Sequence, residues 1–118
     1  MKEKLILVLM LFILVGCSKK DELSCYKKDV NFEYGKMDRF VSFSIDKEDY
    51  VTSSTVRENR KYDNKEDAFR FLDDNSEYVE KKSDTELIYT EVINYEEKVL
   101  STDIKHAMEA QEYTCNYK

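Results

Sequence analysis

Proline and tryptophan are absent, histidine occurs once, and there are two glycines, of which only Gly35 lies beyond the first sixteen residues. Each gap closes off a class of function. Without glycine clusters there is no P-loop and no GxGxxG, both of which need backbone that approaches phosphate closely. No HExxH, GxSxG or CxxC occurs, so the usual signatures of a zinc protease, a serine hydrolase or a thiol-redox site are missing. Positive charge is also short: 19 Lys and Arg face 25 Asp and Glu, a formal net charge of −6. That balance argues against general nucleic-acid binding, which needs a basic footprint. It argues equally against adhesion to anionic lipids or cell-wall polyanions. At 118 residues the chain holds one domain at most, which excludes a two-lobed solute-binding protein, a Rossmann enzyme or a barrel enzyme.

What is present begins with the leader. Met1-Lys2-Glu3-Lys4 is a short n-region with a small positive excess, and Leu5 to Val15 is an unbroken apolar run. The run is too short to cross about 30 Å of hydrocarbon, which takes roughly 20 helical residues, and it suits the h-region of a secretory signal. It ends in Leu14-Val15-Gly16-Cys17, which resembles the bacterial lipobox. The resemblance implies diacylglycerol transfer to the Cys17 thiol and cleavage between Gly16 and Cys17. The residue types fit that chemistry, because a thiolate is the nucleophile and a small Gly leaves the scissile bond accessible. The alternative is an ordinary signal peptide with a chance Cys. Residues 1–16 are thus expected to be a lipoprotein signal peptide, 17–22 a lipidated Cys with a short polar tether, and 23–118 a single small domain. Losing Lys2, Glu3 and Lys4 with the leader leaves 17 basic against 24 acidic residues, a net charge of −7.

Three cysteines are an odd number for an exported chain. Assigning Cys17 to lipid leaves Cys25 and Cys115, which bracket nearly all of the expected domain. Export places them in a disulfide-permissive compartment. Closing a loop of about 90 residues would contribute at most roughly 4–5 kcal/mol. The alternatives are two free thiols, or a Cys115–His106 nucleophile, for which no third orienting group is evident.

Val30, Phe32 and Tyr34 alternate at period two and give a first strand over Leu23 to Tyr34, broken near Lys27-Lys28-Asp29. Gly35-Lys36 is expected to begin a turn. Val41, Phe43 and Ile45 against Ser42 and Ser44 give a half-buried second strand, Arg39 to Ile45. Asp46 to Asp49 is a polar turn, and Tyr50 to Tyr62 a third strand. Asn64 is an N-cap, with Glu66 and Asp67 in the first turn of a helix. Ala68, Phe71, Leu72, Asn75 and Val79 form its apolar stripe, so the helix is expected to run to Lys81, with Glu66/Arg70 and Glu77/Lys81 as i,i+4 pairs. Phe69 and Tyr78 lie off the stripe or at its rim. Glu86 to Tyr95 is a fourth, β-prone strand. Ser101 caps a short helix carrying Ile104, Ala107 and Met108, and Tyr113-Thr114-Cys115 is an extended tail. The order β-β-β-α-β-α predicts an α+β fold, with two helices on one face of a mainly antiparallel sheet of about four strands.

The lipobox, the early Cys25, the hairpin Arg39–Tyr62, the acid-rich helix, the strand Glu86–Tyr95 and the Cys115-bearing tail together resemble the YehR-like small lipoproteins and kindred Firmicute lipoproteins. The resemblance implies an α+β domain on the cell surface. It brings no assigned activity, and no catalytic residue can be carried over from it.

No catalytic residue, metal ligand or cofactor is assigned. His106 is expected at the surface. The acid clusters Asp46/Glu48/Asp49, Asp63/Glu66/Asp67 and Asp73/Asp74 match no EF-hand loop and are expected to be solvated. The many Tyr and Phe are expected to build the sheet core, with Tyr34, Tyr62 and Tyr89 the ones whose exposure is informative. The expected role is a non-enzymatic cell-surface binding or envelope-associated domain. It would be anchored to the extracytoplasmic face of the cell membrane through acylated Cys17, with a monomeric soluble domain. No nucleic acid is expected as a partner. An unknown protein or small ligand is, and the negative charge would suit a cationic one such as a defence peptide, lysozyme or bacteriocin. The alternatives are an inhibitor or immunity lipoprotein, a small extracytoplasmic hydrolase, and a purely structural lipoprotein.

Overall fold

The computed structural model describes residues 21–118. The expected signal peptide, Gly16, Cys17 and the part of the expected tether up to Lys20 lie outside the described residues. The chain runs β1 (Glu22–Phe32), β2 (Gly35–Ile45), β3 (Tyr50–Tyr62), α1 (Lys65–Asp74), β4 (Val79–Lys81), β5 (Glu86–Leu100), α2 (Ser101–Ala110) and β6 (Thr114–Tyr117). The strands form one six-stranded sheet in the order β4-β5-β3-β2-β1-β6, with antiparallel pairing throughout. The α+β class and the mainly antiparallel sheet are as expected. The count of four strands and the order β-β-β-α-β-α are not.

Three local causes account for the difference. The first helix stops at Asp74 rather than Lys81, because Asn75 closes it. Both its backbone N–H and its Nδ2 donate to the Phe71 carbonyl, each at 3.0 Å. Val79–Lys81 then pairs with Leu87–Tyr89, where β-branched Val79 fits a pleated surface better than a helix. Beyond Tyr95 the chain stays extended to Leu100. The Cys115 tail becomes β6 by pairing with Leu23–Tyr26. The expected side-chain pairs change accordingly: Arg70 meets Asp67 at 3.2 Å and Lys81 meets Asp84 at 3.0 Å. Asn64 does cap α1, accepting from the Asp67 N–H at 3.0 Å. Ser101 does not cap α2 with its side chain. It is the first helical residue, buried, with its hydroxyl 3.3 Å from that of Tyr117.

The turn between β1 and β2 is Glu33-Tyr34, so Gly35 begins β2 instead of starting a turn. Glycine is required there because a Cβ would collide with the Lys61 carbonyl oxygen on β3. The break expected near Lys27-Lys28-Asp29 is a bulge: the register slips between Lys27 and Val30, and Asp29 has φ 55°. The slip lets both Leu23/Cys25 and Val30/Phe32 face the same side. A second slip between Val51 and Ser53 does the same for Val51 and Val56.

Register defines the buried face. Cys115, Cys25, Val41, Val56 and Glu91 form one row across five strands, and Lys27, Arg39, Glu58, Tyr89 and Val79 form the row two residues on. Both helices pack on this face, at opposite ends. Ile104 and Met108 of α2 lie against Leu23, Cys25, Val41 and Phe43. Ala68, Phe71 and Leu72 of α1 lie over Tyr62 and Leu87. Cys25 and Cys115 are directly opposed in register, with Cα atoms 4.1 Å apart, and are joined as a disulfide across 90 residues. Since β6 has four residues, this bond ties down an edge strand that pairs with little else. Replacing both cysteines with serine is expected to cost about 2–4 kcal/mol, read as a lower urea midpoint, with hydrogen-exchange protection lost first in β6.

Candidate functional site

The two helices leave the middle of the sheet uncovered, and the most densely wired polar side chains of the described residues stand there. Along β3 the inward phase reads Val56, Glu58, Arg60, Tyr62, so two charged residues occupy positions that face the core. Glu58 is 6% exposed and would be costly to bury alone. It is paired on both sides. Arg39 of β2, directly opposite in register, donates through Nε to Oε2 at 2.8 Å. Arg60 donates to Oε1 through Nε at 2.9 Å and lies 2.7 Å away through its terminal nitrogen. The chain of bonds extends outward on both sides: Arg39 donates to the Tyr113 hydroxyl at 2.8 Å, and Arg60 to the Tyr62 hydroxyl at 3.2 Å. The Arg60 guanidinium also lies 4.2 Å from the Phe71 ring centroid, with Phe32 and Tyr89 at 5.3 and 5.8 Å, a stacked cation–π setting.

The environment moves the titrating groups in consistent directions. Burial works against both charged guanidinium groups. The hydrogen bonds of Arg39 to Tyr113 and Glu58, and of Arg60 to Tyr62 and Glu58, outweigh it and hold both above their ordinary value. Burial raises the Tyr62 hydroxyl despite Arg60. Tyr89 is pushed up to about 12, first by its hydrogen bond to the Glu91 carboxylate and then by burial.

A cleft of about 270 Å³ opens over this network, lined by Arg39, Val56, Glu58, Phe71, Tyr89 and Glu91 among others. It shares Arg39, Val56 and Ile93 with a neighbouring groove of about 360 Å³ beneath α2. A larger hollow of about 660 Å³ lies between α1 and the β4–β5 turn, with Phe69 on its edge, 69% exposed. Three of its charged residues are already in solvent-facing ion pairs, Arg70 with Asp67 and Lys81 with Asp84. Surface pairs of this kind carry little energy. The central cleft, with its buried charges, is therefore the candidate site.

Chemically the network is a positioning device. Both Glu58 oxygens already accept guanidinium N–H, while Arg39 lines the cleft with 37% of its side chain exposed and with N–H donors beyond the two that Glu58 and Tyr113 take. Cys115 is in the disulfide, which removes the Cys115–His106 pair as a nucleophile, and His106 is exposed on α2. The acid clusters do not converge. Asp46/Glu48/Asp49 and Asp63/Glu66/Asp67 flank opposite ends of β3, 13 residues and so about 40 Å apart. Asp46 is used locally, accepting from the Glu48 and Tyr50 N–H groups at 2.9 and 3.0 Å. Among the described residues no group of three or more His, Cys, Asp or Glu could hold a metal ion. Nor is any helix among them long and apolar enough to cross a membrane. Of the informative tyrosines, Tyr34 is exposed, Tyr89 half-buried and Tyr62 buried. Arg39, Glu58, Arg60 and Tyr113 were not singled out from sequence. The signal was their phase: Arg39 alternates with Val41 and Phe43, and Glu58 with Val56. No family model, no curated protein and no solved structure matches the chain.

Two outcomes follow for the network. Glu58→Gln removes the charge that both arginines share, and is expected to lower stability by about 2–3 kcal/mol, measured by urea unfolding. Tyr89 keeps its proton in the folded state above the pH at which the unfolded chain loses it. Its contribution is complete below about pH 10 and is lost as pH rises toward 12. Tyrosinate absorbance should show late titration from Tyr62 and Tyr89, and the component near 12 should move back toward 10 in Glu91→Gln.

Proposed function

We propose that this chain is a lipid-anchored lipoprotein on the extracytoplasmic face of the cell membrane, whose domain serves as a non-enzymatic binding or envelope-associated module. The observation that carries the anchor is Leu14-Val15-Gly16-Cys17 at the end of an eleven-residue apolar run, the pattern shared with lipoboxes. The Cys25–Cys115 disulfide supports export, because such bonds persist mainly in oxidising compartments. It also leaves Cys17 as the odd cysteine, available for acylation. The resemblance to the YehR-like lipoproteins points the same way.

A binding role is supported by the central cleft, where charged and polar side chains converge around Val56, Phe71 and Ile93, and by the mostly apolar groove that adjoins it, since convergent polar groups beside apolar surface are the usual make-up of a ligand site. The polar groups there are locked to one another, which suits a rigid recognition surface. The acid clusters at both ends of β3 support a cationic partner, and with it the inhibitor or immunity alternative. A hydrolase would need a nucleophile and a base placed together in the cleft, an arrangement that Arg39, Glu58 and Arg60 do not make.

Expression of the wild-type chain with labelled palmitate is expected to give a labelled protein that sediments with membranes. Cys17→Ser should abolish the label and release the protein into the soluble fraction. Equal sedimentation of both would overturn the anchor.

A further inference from the structure

We propose that the groove beneath α2 binds single-chain amphiphiles with an anionic head, the head on the Arg39 guanidinium and the tail along Phe43, Val56 and Ile93. This rests on the groove's own geometry and not on the lipid anchor. The hollow measures about 360 Å³, within the size range of small-molecule sites. Its floor is a sheet row, Phe43, Ser54 and Ile93 lying side by side on β2, β3 and β5. Its wall is the face of α2 that carries Ile104, Ala107 and Met108. The floor is not closed off: Ile93 is 45% exposed although it points to the helix-covered side of the sheet. An aliphatic tail would remove this apolar surface from water, the ordinary driving force for such binding.

The charge pattern selects the head. Among the described residues lining this groove, Arg39 alone is charged. Two of its bonds run to Glu58 and Tyr113, and its side chain remains 37% exposed. A guanidinium has five N–H donors, so donors remain for a carboxylate or phosphate, which arginine holds in a fixed planar geometry. The nearest inward-facing acid on β5 is Glu91, in the next row, where its carboxylate accepts from the Tyr89 hydroxyl. The overall negative charge of the chain opposes an anion, but exposed charges beyond about 8 Å are largely screened at physiological salt. The groove thus differs in sign from the acidic ends of the sheet and would serve a different ligand.

The test uses the full chain carrying Cys17→Ser, oxidised at Cys25 and Cys115, so that no acyl group of its own can fill the groove. Calorimetric titration below the micellar concentration compares dodecanoate, dodecyl phosphate and dodecyltrimethylammonium, which share one tail. One equivalent of each anion is expected to bind at least about tenfold more tightly than the cation. Ala107→Trp, at an exposed position on the groove wall, should retain the wild-type melting temperature and weaken both anions about tenfold. Arg39→Gln should abolish the preference for anions. If that variant fails to fold, the head-group comparison in the unaltered groove gives the same information. Equal or tighter binding of the cation, absence of binding by both anions, or full affinity in a folded Ala107→Trp protein would each overturn the proposal.

Discussion

The carboxylate of Glu58, clamped between Arg39 and Arg60, is the constraint around which the domain is arranged. An isolated charge at 6% exposure would not be tolerated. The two arginines satisfy it, but each must then be placed and satisfied in turn. Arg39 is placed by the β2–β3 register and completed by Tyr113, just before β6. Arg60 is placed two residues along the same strand and completed by Tyr62 and a set of aromatic rings. One ion-pair network thereby joins the centre of the sheet to the segment leading into its last strand and to the underside of α1.

The same network explains why the core is divided. The larger apolar cluster lies under α2 and the smaller under α1, and the charged row separates them. Helices cannot close over that row without desolvating it further, so the sheet stays open between them. A small domain normally gains stability by covering both faces of its core. Here a continuous core is given up for a cleft with buried charges in it, and buried polar networks of this kind favour a single arrangement over alternative packings. The disulfide acts at the opposite edge, holding a four-residue strand whose hydrogen bonds alone would fray.

Much of the fold was legible in the sequence because it followed local rules. The third strand, Tyr50–Tyr62, has the expected bounds, and Asn64 caps its helix as its position before Glu66 and Asp67 suggested. Errors arose where two signals competed. Val79 continues the helical stripe of Ala68 and Phe71, yet Asn75 ends the helix before it. The four-residue tail had too short a pattern to be told from a loop. The site was less legible than the fold. Glu58 and Arg60 look like ordinary solvent-facing residues of a half-exposed strand until the phase of Val56 and Tyr62 is followed through them. Arg39 and Tyr113 are 74 residues apart, and no periodicity relates them.

The sequence by itself determined an α+β chain with net negative charge, few glycines, a Leu14-Val15-Gly16-Cys17 stretch that resembles a lipobox, and two cysteines beyond it. These are matters of composition and of neighbours within a few residues. Only the tertiary structure decided that six strands are present, that β6 closes the sheet beside β1, and that two arginines from different strands share one carboxylate in an open cleft. Such features depend on pairing register between distant segments. A slip of one residue would turn Glu58 to solvent and its neighbours to the core, and the energy that forbids the slip is spread over every strand in the sheet.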